Sequence, residues 1–85
     1  MEIITLLHYK YEAKLILKTL KDIIKTFGEV TVADYNDLIG MSSVYTDHYK
    51  GWVDLSKARI EKADGYIRKY KIVLPDPIDL THSDL

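Results

Sequence analysis

Three histidines and thirteen carboxylates are the raw material for metal or acid–base chemistry in this chain of 85 residues. Asp47-His48, with Asp54 a little further on, is the one place that gathers them. A metal ion or a proton-transfer pair needs side chains that converge on one point, and neighbouring residues in a loop point apart. No second histidine stands at ligand spacing from His48, since His8 and His82 lie in distant segments. No Ser, Thr or Lys has a neighbouring base to activate it, and no glycine-rich loop follows a strand to cradle a phosphate. The residues therefore predict no catalytic group, no metal and no cofactor, and the four glycines read as turns.

A second chemistry is suggested by aromatic and basic residues that alternate late in the chain. Trp52, Tyr66 and Tyr70 stand among Lys57, Arg59, Lys62, Arg68, Lys69 and Lys71, and aromatic platforms flanked by cations suit stacked, single-stranded bases. The competing demand comes from the core. A domain this small needs Trp52, Tyr66, Tyr70, Ile72 and Leu74 inside, because each buried aromatic contributes several kcal/mol at ~25 cal/mol per Å². A basic outer row on a hairpin also serves to discourage edge-to-edge pairing. The core reading is favoured, with the six basic residues kept as the nucleic-acid alternative.

Composition narrows the class. With 47% hydrophobic residues the chain supports one compact domain, expected over residues 1–80, followed by a short polar tail at 81–85. A net charge of −1 argues against both a strongly cationic nucleic-acid binder and an acidic nucleic-acid mimic. The absence of cysteine fits a reducing compartment. No stretch approaches the ~20 apolar residues of a membrane span, and the N-terminus lacks a basic lead-in and a cleavage site, so neither secretion nor membrane insertion is expected.

The elements that must position these residues begin with a helix. Tyr9, Ala13, Ile16, Leu17, Leu20, Ile23, Ile24 and Phe27 recur at steps of three and four, predicting a core-facing stripe that stops at Gly28. Residues 2–7 suit either an extension of that helix or a strand. At about 100° per residue, Lys10, Lys14, Lys18, Lys21 and Lys25 share one flank. Tyr11 and Leu15, joined by Leu7 and Ile4 if the helix reaches them, lie nearly opposite the core stripe. One reading makes these ordinary exposed apolar residues. The other makes Leu7, Tyr11 and Leu15 a contact face for a protein partner, the simplest being a second copy across a two-fold axis with the lysines at its rim.

Further along, Val30-Thr31-Val32 reads as a short edge strand, with Thr31 or Asp34 capping a helix that ends at Gly40. Residues 41–50 have no clean period: Ser42 and Ser43 can start a helical turn, and residues 47–51 read as a loop. Residues 50–77 predict a hairpin entered at Gly51-Trp52 and reversed by a tight Asp64-Gly65 turn with positive φ. Its second strand would alternate from Tyr66 to Leu74, and Pro75 would end its pairing.

The phrases Val30-Thr31-Val32-Ala33-Asp34 with Leu38 and Gly40, then Thr46-Asp47, Gly51-Trp52 and Asp54-Leu55, then Asp64-Gly65-Tyr66 and Leu74-Pro75-Asp76-Pro77 resemble a group of small phage and prophage-encoded proteins. That resemblance covers roughly residues 29–80 and carries no settled activity. It implies a viral origin and the cytoplasm of an infected or lysogenic bacterium. The element order also resembles a winged-helix domain, with residues 31–42 opening the helix-turn-helix and residues 58–74 forming the wing. That likeness makes the segment after Ser42 a recognition helix, for which Lys50 is the only base.

The expected fold is α+β, winged-helix-like: a long N-terminal helix, a second short helix and a small antiparallel sheet with a C-terminal hairpin. The expected function is a non-catalytic phage accessory protein that binds another protein, such as a host regulator or defence component. The alternative is a winged-helix DNA-binding regulator, and a virion component is a third.

Overall fold

The computed structural model describes residues 1–81. The fold is α+β: among the described residues, six strands form two small antiparallel sheets, joined by two α-helices and one 3₁₀ turn. The segment left open between helix and strand is a strand, β1 (Ile3–Leu7), whose residues alternate between half-buried and exposed. Its odd positions Ile3 and Leu7 pack on the core while Ile4 and Leu6 face out. Period two wins over period 3.6 here because the run is too short and too β-branched to sustain a helix of its own.

β1 pairs with β5 (Tyr70–Leu74), which pairs on its other side with β4 (Arg59–Lys62), giving the order β1-β5-β4. Helix α1 (Lys10–Phe27) crosses the inner face of this sheet, burying Ala13, Leu17 and Leu20 against Ile72 and Leu74. Gly28 ends the helix as expected: its φ of 88° is a left-handed conformation that an L side chain resists, and its N–H closes on the Ile24 carbonyl at 2.7 Å. Two residues of the expected stripe stay outside. Tyr9 is the N-cap and Phe27, 76% exposed, is the last helical residue, so both ends overhang the sheet instead of packing on it.

The second sheet is built from β2 (Val30–Thr31), β3 (Lys50–Trp52) and β6 (Ile78–Asp79), in the order β2-β3-β6. Helix α2 (Val32–Ile39) starts directly after β2 because Thr31 can end one element and begin the next. Its hydroxyl accepts from the Asp34 N–H at 3.0 Å while the Asp34 carboxylate accepts from the Thr31 N–H at 3.1 Å, a reciprocal capping box. Of the two caps the sequence allowed, both are used together. A four-residue 3₁₀ turn at Tyr45–His48 follows, at the place a winged helix would put its recognition helix.

The two sheets share one core through two aromatic side chains. The Trp52 Nε1–H donates to the Pro75 carbonyl at 2.8 Å, tying β3 to the chain leaving β5. Tyr35 of α2 meets Trp52 edge-on, with centroids 6.2 Å apart, and its hydroxyl donates to Thr5 Oγ1 of β1 at 2.5 Å. Burial raises the Tyr35 pKa, and the hydrogen bond to Thr5 only partly offsets it.

The hairpin differs from the expected one in three respects. Trp52 belongs to the second sheet and does not enter the hairpin. The reversal runs from Ala63 to Lys69, closed by the Ala63 N–H to the Lys69 carbonyl at 2.8 Å, and Gly65 does not have positive φ. Tyr66 therefore stands 97% exposed at the tip of the arm and is not a core residue. β5 also buries Ile72, Val73 and Leu74 in succession, because the central strand is covered on both faces. On the outer face Arg59 reaches across β5 from β4 to Glu2, and Val73 lies beneath that bridge.

Candidate protein interface

The long helix has a core side and an outer side, and the outer side carries the exposed apolar residues. Tyr11 is 68% and Leu15 62% exposed. The Tyr9 ring stacks on Tyr11 with centroids 5.4 Å apart and planes at 23°, so the helix overhang that removed Tyr9 from the core adds it to this surface. Lys10, Lys14, Lys21 and Lys25 are exposed on the adjoining flank, and Lys18 pairs with Asp22 at 2.9 Å. Leu7, expected to extend the patch, does not belong to it. It sits on β1 and packs against the core.

The six basic residues of the nucleic-acid alternative are not gathered into one surface. Arg59 is held by Glu61 and by Glu2, the latter at 3.3 Å, and Lys71 lies 3.6 Å from Glu61. The Glu61 carboxylate keeps the Arg59 guanidinium charged to higher pH than usual, and Arg59 in turn holds Glu61 below the usual carboxylate range. Lys57 borders a hollow with Trp52, Asp54 and Asp76. Arg68 lines a cleft at the opposite end with Leu6, His8 and Met41. Lys62 follows Glu61 on β4 and so points to the other face of the sheet from Arg59. Lys69 sits in the exposed arm beside Tyr66 and Ile67.

The acid–base candidates are used by turns. Asp47 accepts from the Val44 N–H at 3.0 Å and from Asn36 Nδ2 at 3.3 Å. Asp54 accepts from the Ser56 N–H at 2.9 Å and the Ser56 hydroxyl at 3.0 Å, bonds that lower its pKa. Among the described residues no three His, Cys, Asp or Glu side chains come together. His82 lies outside the described residues, as does most of the expected tail.

Two further surfaces are present, and the first takes Ile4, which the helix period would have set beside Tyr11 and Leu15, onto strand β1. The outward row of β1, Ile4 and Leu6, is 53% and 45% exposed, and a cleft of about 320 Å³ separates this strand from Leu38, Ile39 and Met41 at the end of α2. The alternation Glu2, Ile4, Leu6, His8 carried that signal, masked by the competing helix period. Tyr45 and Tyr49 form the second surface, edge-on at 5.1 Å with their hydroxyls 3.2 Å apart, and this contact raises the Tyr49 pKa.

The phrases that carry the phage resemblance have structural work to do. Val30, Val32 and Ala33 are buried, Asp34 completes the capping box, and Gly40 closes α2 with a φ of 74°. Gly51 has no room for a side chain, since a Cβ would stand 1.9 Å from the Val30 carbonyl oxygen. Trp52 and Leu55 are core, and Pro75 supplies the acceptor for the indole. Compared with protein-family models, curated proteins and solved structures, the chain matches none.

Proposed function

We propose that this chain is a small phage accessory protein that acts without catalysis, by binding a protein partner through the outer face of α1. The observation that carries the reading is the exposed Tyr9, Tyr11 and Leu15 surface bordered by lysines, on a helix whose other side is committed to the core. Clustered apolar side chains of this size are commonly buried by a partner. Its chemistry follows from the border: an apolar patch rimmed by carboxylates, carried by a host regulator or a component of host defence. Complementary rim charge adds mainly to the association rate, so binding should slow as salt is raised.

The test is capture from a bacterial lysate by the immobilised wild-type chain, its Leu15→Glu variant and its Lys14→Glu, Lys18→Glu double variant. A protein retained by wild type and lost from Leu15→Glu supports the reading. Equal retention by all three, or tight DNA binding that weakens steeply with salt, overturns it in favour of a DNA-binding regulator.

A further inference from the structure

The first sheet has two edges of opposite character. β4, the edge Arg59-Ile60-Glu61-Lys62, is charged at three of four positions, a common protection against added strands. β1, the edge Ile3-Ile4-Thr5-Leu6-Leu7, has no charge, no proline and no bulge. Among the described residues, the only backbone hydrogen bonds of β1 are those to β5, so every second residue turns an unpaired N–H and C=O outward. The edges of the second sheet are two-residue strands, too short to act as templates.

We propose that β1 is the self-association edge of this protein, pairing antiparallel with β1 of a second copy about a two-fold axis through Thr5. This surface is distinct from α1, and the inference does not depend on the reading of that helix. The occupant is identified by the strand's own symmetry. Around Thr5 the residues are matched in kind: Ile4 with Leu6, Ile3 with Leu7, and Glu2 with His8. Turned against itself in this register, the strand sets each exposed Ile4 opposite the other copy's Leu6, so the outward apolar residues pack side by side across the seam. Each Glu2 comes beside the other copy's His8, where an imidazole N–H can donate to the carboxylate. An identical strand in any other register breaks both matches, and a one-residue slip turns Ile4 and Leu6 to opposite faces. The product is a continuous six-stranded sheet, β4-β5-β1-β1-β5-β4, with only the charged β4 edges left free. Isologous pairing of this kind closes on itself and does not propagate into fibres.

Light scattering over a dilution series, with circular dichroism as the control for folding, tests the pairing. Wild type and Leu15→Glu are expected to give the same dimer mass at high concentration, whereas Leu6→Lys, which sets a charge against Ile4, should weaken association roughly tenfold or more. The register is read by cross-linking. The chain has no cysteine, so Ile4→Cys and Leu6→Cys variants can be oxidised alone and mixed. Directly opposed Cβ atoms lie about 4.5–5.5 Å apart and diagonal ones about 7–8 Å, so the mixed 4–6 disulfide should form well above the half expected by chance. A monomer mass for wild type at all concentrations, a dimer lost in Leu15→Glu, or chance proportions among the disulfides would each overturn the proposal.

Discussion

The two sheets divide the labour unequally. The second, with β2, β3 and β6, is engaged at its centre: Val30, Gly51 and Trp52 are buried, β6 is exposed, and its two edge strands are too short to act as templates. The first sheet and its helix leave Ile4, Leu6, Tyr11 and Leu15 exposed. The residues that look most distinctive in the sequence, the single Trp, the Asp and Gly phrases and the prolines, are mainly in the engaged half. The residues left exposed on the other half, Ile4, Leu6 and Leu15 with Tyr11, belong to no such phrase. In a small domain a memorable motif can mark the site of hardest packing, and the binding surface can lie where the sequence is least distinctive.

That contrast predicts an order of effects. Gly51→Ala should be the most damaging, because the Cβ meets backbone of the adjacent strand, at 1.9 Å from the Val30 oxygen and 2.7 Å from the Thr31 Cα. Overpacking between strands should cost about 3 kcal/mol or more and lower the melting temperature by roughly 15 °C or more. Gly65→Ala also meets a carbonyl, that of Arg68 at 2.1 Å, but in an exposed arm that can move. If the Gly65 variant melts lower than the Gly51 variant, the engaged half has been misidentified.

Trp52→Phe should come next. It keeps most of the buried ring and leaves the Pro75 carbonyl without its donor, a loss of about 1–3 kcal/mol. A thermal or urea midpoint equal to wild type would show that the indole bond does not tie the sheets together. Leu15→Glu should change stability by no more than about 0.5 kcal/mol, and a large fall in its melting temperature would place Leu15 in the core. The smallest effect concerns the outer face of the first sheet. Glu61 titrates below its ordinary range when folded because Arg59 donates to it. Its stabilisation is therefore full above the usual carboxylate range and fades as pH falls through the depressed folded-state value. Melting curves from neutrality to about pH 3 should show a shallower decline for Glu61→Gln than for wild type. Parallel declines would remove this pair from the acid response.

How much of this was legible in the sequence depended on whether the deciding interaction was local. The period of α1, its stop at Gly28 and the Thr31 cap are local and were read directly. Tyr9 and Phe27 shared the period but overhang the sheet, and sheet width is not written in a helix. Asp64-Gly65 promised a tight turn, yet pairing fixed by β5 and β4 stops at Lys62 and Tyr70 and leaves a longer arm. β3 and β6 are three and two residues long, below what any periodicity can reveal, and they exist because Trp52 and Leu80 are buried beside them. For the proposed interface, Tyr11 and Leu15 could be placed on the outer side of α1 by angle alone. Leu7 could not, since its side depended on whether β1 was strand or helix.

Trp52 is the single tryptophan, 2% exposed, at the joint where β3, α2 and the chain leaving β5 meet. Its fluorescence consequently reports one location, the seam between the sheets, whereas far-ultraviolet dichroism is dominated by the eighteen residues of α1. The two signals divide the molecule spectroscopically. Coincident transitions would mean that helix and seam melt as one cooperative unit. An earlier loss of the blue-shifted emission would mean that the second sheet peels away while the helix is still wound, exposing an indole that quenchers such as iodide can then reach.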